Sequence, residues 1–359
     1  MRRRWCLAIC LTAATCWGGA IDTVAGTGKP ENNGDRGAAT QTNVGDPFGV
    51  EIGPDGALYI TEVRHHRVRR LDLKTKELTT VAGCGEKGYS GDGEAAVKAK
   101  LNEPYEVRFD RAGNMLFVEM QNHVVRKVDA KTGIISTIAG CGEKGFGGDG
   151  GPATKAKFNQ PHSIALDAAD NLYIADILNH RIRRVDARTG GIETIAGTGE
   201  TKSPTDGAAA LGKPMLGPRA LIVDRGILWI ALREGHSVWK MNLADGVLKR
   251  IAGTGKKGFS GDGGPALEAT FDGPKGIALD EQGRVYVVDT ENQAIRRIDP
   301  SAGGIETIAG KGPKHQGGKG DGGPATEAEL ARPHGIGLGP DGAVYIGDTL
   351  NHRVRRVLP

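Results

Sequence analysis

Apolar residues in this chain come in short bursts set between turn residues, and residues 161–197 display the unit. The stretch PHSIALDAADNLYIADILNHRIRRVDARTGGIETIAG holds four runs, SIALD, NLYIAD, HRIRRVD and IETIAG, separated by Asp, Asn and Gly turns. Runs of four to seven residues rich in Ile, Val and Tyr and bounded by such turns predict β-strands. A helical repeat would instead show an apolar period of 3.6, so the pattern argues against a helical solenoid.

The unit recurs. The segment TVAG or TIAG places its glycine at Gly26, Gly83, Gly140, Gly197, Gly253 and Gly310, in steps of 57, 57, 57, 56 and 57 residues. A second marker, Pro-x-x-aliphatic, begins at Pro47, Pro104, Pro161, Pro218, Pro274 and Pro333. Six copies of a four-stranded antiparallel unit predict an all-β, six-bladed β-propeller. The sixth copy ends at HRVRRVLP without a fourth strand, whereas IDTVAG, from Ile21, is a fourth strand without a blade. The N-terminal strand is therefore expected to complete the last blade, closing the ring and removing an exposed sheet edge.

Composition fits a turn-rich propeller: 57 of 359 residues are glycine, about twice the usual share of roughly 7%. Residues 1–20 read as a signal peptide, with Arg2, Arg3 and Arg4 ahead of an apolar stretch and the small residues Gly18, Gly19 and Ala20. The apolar part is too short to span a bilayer, which takes about 20 residues. The expected organisation is a signal peptide over 1–20 and one propeller over 21–359, secreted or periplasmic and monomeric. Without those three arginines, 44 basic side chains face 43 acidic ones, so net charge predicts no nucleic-acid partner. Cys84 and Cys141 occupy equivalent positions in neighbouring blades and are expected to remain unpaired, too far apart for a bridge.

The third-strand segments DILNHRIRR from Asp176, DTENQAIRR from Asp289 and DTLNHRVRR from Asp348 resemble the NHL repeat, and the loop GFSGDGGPA is similar to that of the teneurin NHL propeller and of exported bacterial NHL proteins. The resemblance covers essentially all of residues 21–359 and implies the fold. It leaves function open, since the family includes binding, sensor and enzyme members.

In a four-strand meander the start of strand one, the turn between strands two and three, and the end of strand four share one end of the blade. That face collects the long loops, the DxxNH turns and the channel entrance, and is the expected binding face. Six equivalent residues, Phe48, Tyr105, His162, Arg219, Lys275 and His334, should ring the channel mouth. Two aromatics, two histidines and two cations suit a small anionic or carbohydrate-like ligand; a protein partner on the same face is the other expectation.

The string AGTGKKGFSGDGGPA, from Ala252, contains G-x-G-x-x-G. A dinucleotide site needs a helix after the glycines, and here at most one short turn from Pro265 follows, so the string reads as an inter-blade loop. Its acid recurs as Asp35, Asp92, Asp149, Asp206, Asp262 and Asp321. These are expected to fix the turn by accepting backbone N–H bonds, and they are too sparse for a calcium loop. The turn acids Glu62, Glu119, Asp176, Asp289 and Asp348 should pair with arginines such as Arg183, Arg296 and Arg355. The peptidyl-amidoglycolate lyase, which resembles this propeller, takes zinc from histidines of alternate blades. Here His162 and His334 fall in blades three and six, too few for a catalytic zinc. No metal, cofactor or catalysis is expected; the alternative is a lyase or lactone-type hydrolase built on His162, His334, Tyr105 and a channel metal. Blade four departs from the rest, with Leu232 replacing the acid and Trp229 and Trp239 added. Local repacking is the expectation there, a partner contact the alternative.

Overall fold

Alternation along each predicted run is converted directly into sheets. The computed structural model describes residues 19–359, so the expected signal segment lies outside the described residues except for its last two. Each blade is an antiparallel meander. In blade three the strands are Pro161–Leu166, Leu172–Asp176, Arg181–Val185 and Ile192–Ala196, paired in that order from channel to rim. Blades one, two, four and five begin with inner strands Pro47–Ile52, Pro104–Phe109, Pro218–Asp224 and Pro274–Leu279. Blade six consists of Ile336–Leu338, Val344–Asp348 and Arg353–Val357, completed at its rim by Ile21–Ala25. Ile21 stands opposite Val357 in that closing pair, so the ring closes with backbone hydrogen bonds, as the orphan strand required.

The core lies between blades. One cluster joins Val287 and Ala278's neighbour Ile277 of blade five to Ala220, Ala231 and Val238 of blade four, around the fully buried Phe271. Phe158 and Leu330 occupy the same place elsewhere. Full burial of each such side chain contributes about 1.5–3 kcal/mol. Every outer strand slips register against the third strand one residue before its terminal alanine. Such bulges strengthen the local twist, which lets flat meanders fan around an axis.

The sequence missed a fifth strand. Arg36–Ala38 pairs with Glu77–Thr79 on the rim of blade one, and single bridges at Ala95, Pro152, Ala209 and Pro265 lay the other long loops along the rims of the blades they enter. The loops thus cover sheet edges. Gly253, which opens the G-x-G-x-x-G string, has φ +86° and its missing Cβ leaves room for the His236 carbonyl oxygen. The short turn that follows is Ala266–Glu268, with Pro265 preceding it rather than sitting inside it. Cys84 and Cys141 are both free thiols, as equivalent positions on neighbouring blades dictate.

Candidate functional site

The Asn-His pair at each DxxNH turn explains how the blades are held at fixed spacing. The Asn faces the loop: Nδ2 of Asn122, Asn179, Asn292 and Asn351 donates to the carbonyls of Gly88, Gly145, Gly258 and Gly317. The His faces the next blade. His66, His123, His180 and His236 sit in the left-handed region, and Nδ1 of each accepts the N–H of the residue before the next inner-strand proline, at 3.2, 3.2, 3.2 and 3.1 Å. Burial holds these four imidazoles below the usual histidine pKa, which preserves the acceptor. In blade five Gln293 Oε1 takes the same role toward Arg332 N at 2.6 Å. The sequence displayed these residues as a family signature but not their function as latches, which depends on a neighbour 37 residues away.

The loop acids correct the expectation placed on them. Asp35, Asp92, Asp149, Asp262 and Asp321 accept from buried guanidinium groups, those of Arg67, Arg126, Arg183, Arg296 and Arg355, at 2.5–2.8 Å. Backbone N–H bonding to the side chain is seen instead at Asp206, from Arg250 at 2.8 Å. The difference follows from the arginines: each is fully buried and needs a counter-charge. The turn acids supply the second one. Glu119 lies 2.6 Å from Arg126, and Asp176, Asp289 and Asp348 lie 3.5–3.6 Å from Arg183, Arg296 and Arg355. Burial raises these acids, Asp176 and Asp348 to about 6, Glu119 and Asp289 to about 7.

The six channel positions converge. Phe48, Tyr105, His162, Arg219, Lys275 and His334 line one cavity of about 270 Å³, with Arg233 and Arg332 at its rim. Five of them follow the first proline of an inner strand, where the register slips against the second strand, and His334 lies two residues ahead of the inner strand of blade six. Phe48 packs between the Tyr105 and His334 rings at centroid distances of 4.4 and 4.0 Å, and His162 meets Tyr105 edge-on at 4.8 Å. The Arg219 guanidinium lies over Tyr105, 5.3 Å from the ring centre.

Protonation states follow from these contacts. His162 Nδ1 lies 2.6 Å from the Gln160 carbonyl and His334 Nδ1 2.8 Å from that of Arg332. A carbonyl only accepts, so Nδ1 carries the proton and Nε2 is a bare acceptor in both rings. Burial, reinforced by Arg219 and Lys275, drives both histidines well below the usual range. Lys275 Nζ donates to Glu291 at 2.8 Å and to His334 Nε2 at 3.4 Å. Burial lowers Lys275 to about 8 and Arg219 to about 10. Glu291 would be raised by burial, but Arg332 and Lys275 hold it at about 2.

Zinc does not fit this set. Lys275 already occupies the His334 acceptor with an ammonium group, and Arg219 adds a second positive charge where a cation would sit. Among the described residues no group of three or more His, Cys, Asp or Glu is placed to hold a metal ion. Blade four resolves as repacking: Trp229 and Trp239 are 8% and 4% exposed, which removes them as an exposed contact surface.

Comparisons with known proteins agree with this architecture. The Teneurin NHL domain family matches residues 249–315 and the NHL repeat matches residues 330–357. NHL repeat-containing protein 2 of Gallus gallus is 27% identical over 349 residues, covering 87% of this chain and 47% of that protein. The chain spans less than half the length of that relative. The structure of an auxiliary nutrient binding protein from Bacteroides ovatus shares the fold with a TM-score of 0.69 at 16% identity, covering 95% of this chain and 77% of the other. A streptogramin B lyase shares it with a TM-score of 0.56 at 16% identity, covering 96% and 99%. Among the described residues no helix is long and apolar enough to cross a membrane. Six four-stranded blades, repeated Asn-His turns and these matches together support an NHL-repeat β-propeller.

Proposed function

We propose that this propeller is an exported, monomeric binding module that takes a small ligand into the long-loop mouth of its channel. The observation that carries this reading is the convergence of one equivalent residue from each of six blades on a single cavity of about 270 Å³. Nothing in the scaffold requires that set: the blades are held by the His latches and the buried arginine clusters, so the mouth residues are left for recognition. The fold-level likeness to a nutrient-binding protein supports the same reading. Two-dimensional NMR against a metabolite library tests it. Ligand-induced shifts should cluster around Phe48, Tyr105 and His162 and vanish in Tyr105→Ala; shifts confined to the rim or the opposite face would refute it.

A second reading rests on His162, a neutral imidazole whose Nε2 has no hydrogen-bond partner among the described residues, beside Tyr105. Such a group can act as a general base, and a lyase shares the fold. In an enzyme His162→Gln would retain ligand affinity and lose turnover, whereas in a binding module the two proteins would be indistinguishable in product analysis.

A further inference from the structure

Eight arginines are buried among the described residues: Arg67, Arg69, Arg108, Arg126, Arg183, Arg219, Arg296 and Arg355. Seven reach a carboxylate within 4 Å. The other channel arginine, Arg108, has two, Glu106 at 2.7 Å and Glu51 at 3.2 Å. Arg219 has none and makes no hydrogen bond to a described residue, although it is only 4% exposed. It lines the mouth cavity, with its guanidinium over the Tyr105 ring. Glu106 and Glu234 attract it only from a distance.

Burying a cation without a counter-charge is costly. Among the buried arginines of the described residues that cost is met at every one except Arg219, which lines the cavity. Lys275 is not an equivalent case, because it has a carboxylate at 2.8 Å in Glu291, which it shares with Arg332. The mouth therefore offers one unsatisfied planar donor array, one bare imidazole acceptor at His162 Nε2, and an aromatic floor of Phe48 and Tyr105.

We propose that Arg219 anchors a carboxylate, and that the ligand of the mouth is a small hydroxy-carboxylate whose hydroxyl donates to His162 Nε2. This deepens the binding reading above and rests on it. A guanidinium fork matches two carboxylate oxygens in one plane, and the cavity is too small for a macromolecular partner. Phosphate shares the charge and can also take the fork through two oxygens, so inorganic phosphate is the competitor the titration must separate.

The test uses the full chain in a buffer free of carboxylate and phosphate. First, chemical denaturation compares the unliganded protein with Arg219→Met. Removing an unpaired buried charge should leave the midpoint unchanged or raise it. A lowered midpoint would make Arg219 a structural residue and overturn the proposal without touching the binding reading. Second, lactate, glycerate, tartrate and glucuronate are each titrated beside the corresponding amide, with inorganic phosphate in parallel. At least one acid should bind the wild type at least tenfold more tightly than its amide, and Arg219→Met should abolish that preference. Amides binding as well as acids, or phosphate binding more tightly than every acid, would overturn the carboxylate while leaving the mouth as the site. Absence of any shift at the mouth with all probes would overturn both.

Discussion

Blades four and five are neighbours in the ring and stabilise the same junction by different chemistry. In blade five Asp289 ends the second strand and Arg296 stands in the third, both fully buried, with Asp262 of the long loop closing the cluster from outside at 2.8 Å. Asp289 also accepts the Asp272 N–H at 2.7 Å and Asn292 Nδ2 at 2.8 Å. Blade four has Leu232 and Trp239 at those two positions, both buried, with Trp239 Nε1 donating to Ser237 at 2.9 Å. Its loop acid, Asp206, has no arginine to neutralise and turns to a backbone N–H. One blade thus uses a buried ion cluster that must be complete, the other an apolar pair with one satisfied donor. The comparison teaches that the Asp-Arg pair is one solution for this junction rather than a requirement of the propeller, in line with the small or even unfavourable net worth of buried ion pairs relative to well-packed apolar groups.

Breaking only half of the cluster should give the largest effect. Asp289→Leu leaves Arg296 short of its internal counter-charge and orphans the Asp272 N–H, and is expected to cost about 3–5 kcal/mol in urea denaturation. Installing the blade-four pair whole, Asp289→Leu with Arg296→Trp, should recover more than half of that loss. A double variant as unstable as the sum of its single changes would show that blade four depends on its own surroundings, Ser237 included. The loop acids sharpen the contrast at smaller scale. Asp262→Ala is expected to cost about 1–3 kcal/mol, because it serves a buried guanidinium, whereas Asp206→Ala should cost under about 1 kcal/mol.

The smallest effect concerns the latches and depends on pH. Burial depresses His180 below the usual histidine value, and its Nδ1 must stay bare to accept the Gly217 N–H. A histidine depressed in the folded state contributes stability that is present above its unfolded pKa of about 6.5 and lost as pH falls. Gln does not titrate, and Gln293 already performs this role in blade five. His180→Gln should therefore match the wild type at pH 7.5 and exceed it at pH 5. Equal differences at both values would show that the latch is not proton-sensitive.

Much of the scaffold was legible in the chain. Repeat spacing gave six blades, the orphan IDTVAG strand gave ring closure, and equivalent positions placed six side chains at one mouth. These follow because strand length, turn residues and period are local properties, and sixfold repetition leaves a closed ring as the way to bury every blade face. The acids of the long loops were misread because a glycine-flanked Asp looks like a turn former until the buried arginine 32 to 34 residues away is placed beside it. The rim strand Arg36–Ala38 escaped for the same reason: its partner at Glu77–Thr79 belongs to another segment.

Sequence alone determined the blade count, the strand pattern and which residue of each blade enters the channel, since all three are periodic. Only the tertiary structure decided which charges are paired. The repeat set Arg219 at the channel mouth and Arg296 beside a turn acid, but it did not show whether the mouth would supply Arg219 with a counter-charge. What distinguishes them is that Arg296 meets carboxylates from its own blade and loop while Arg219 faces an open cavity, and the electrostatic cost of a buried charge is set by neighbours that only the closed ring brings together.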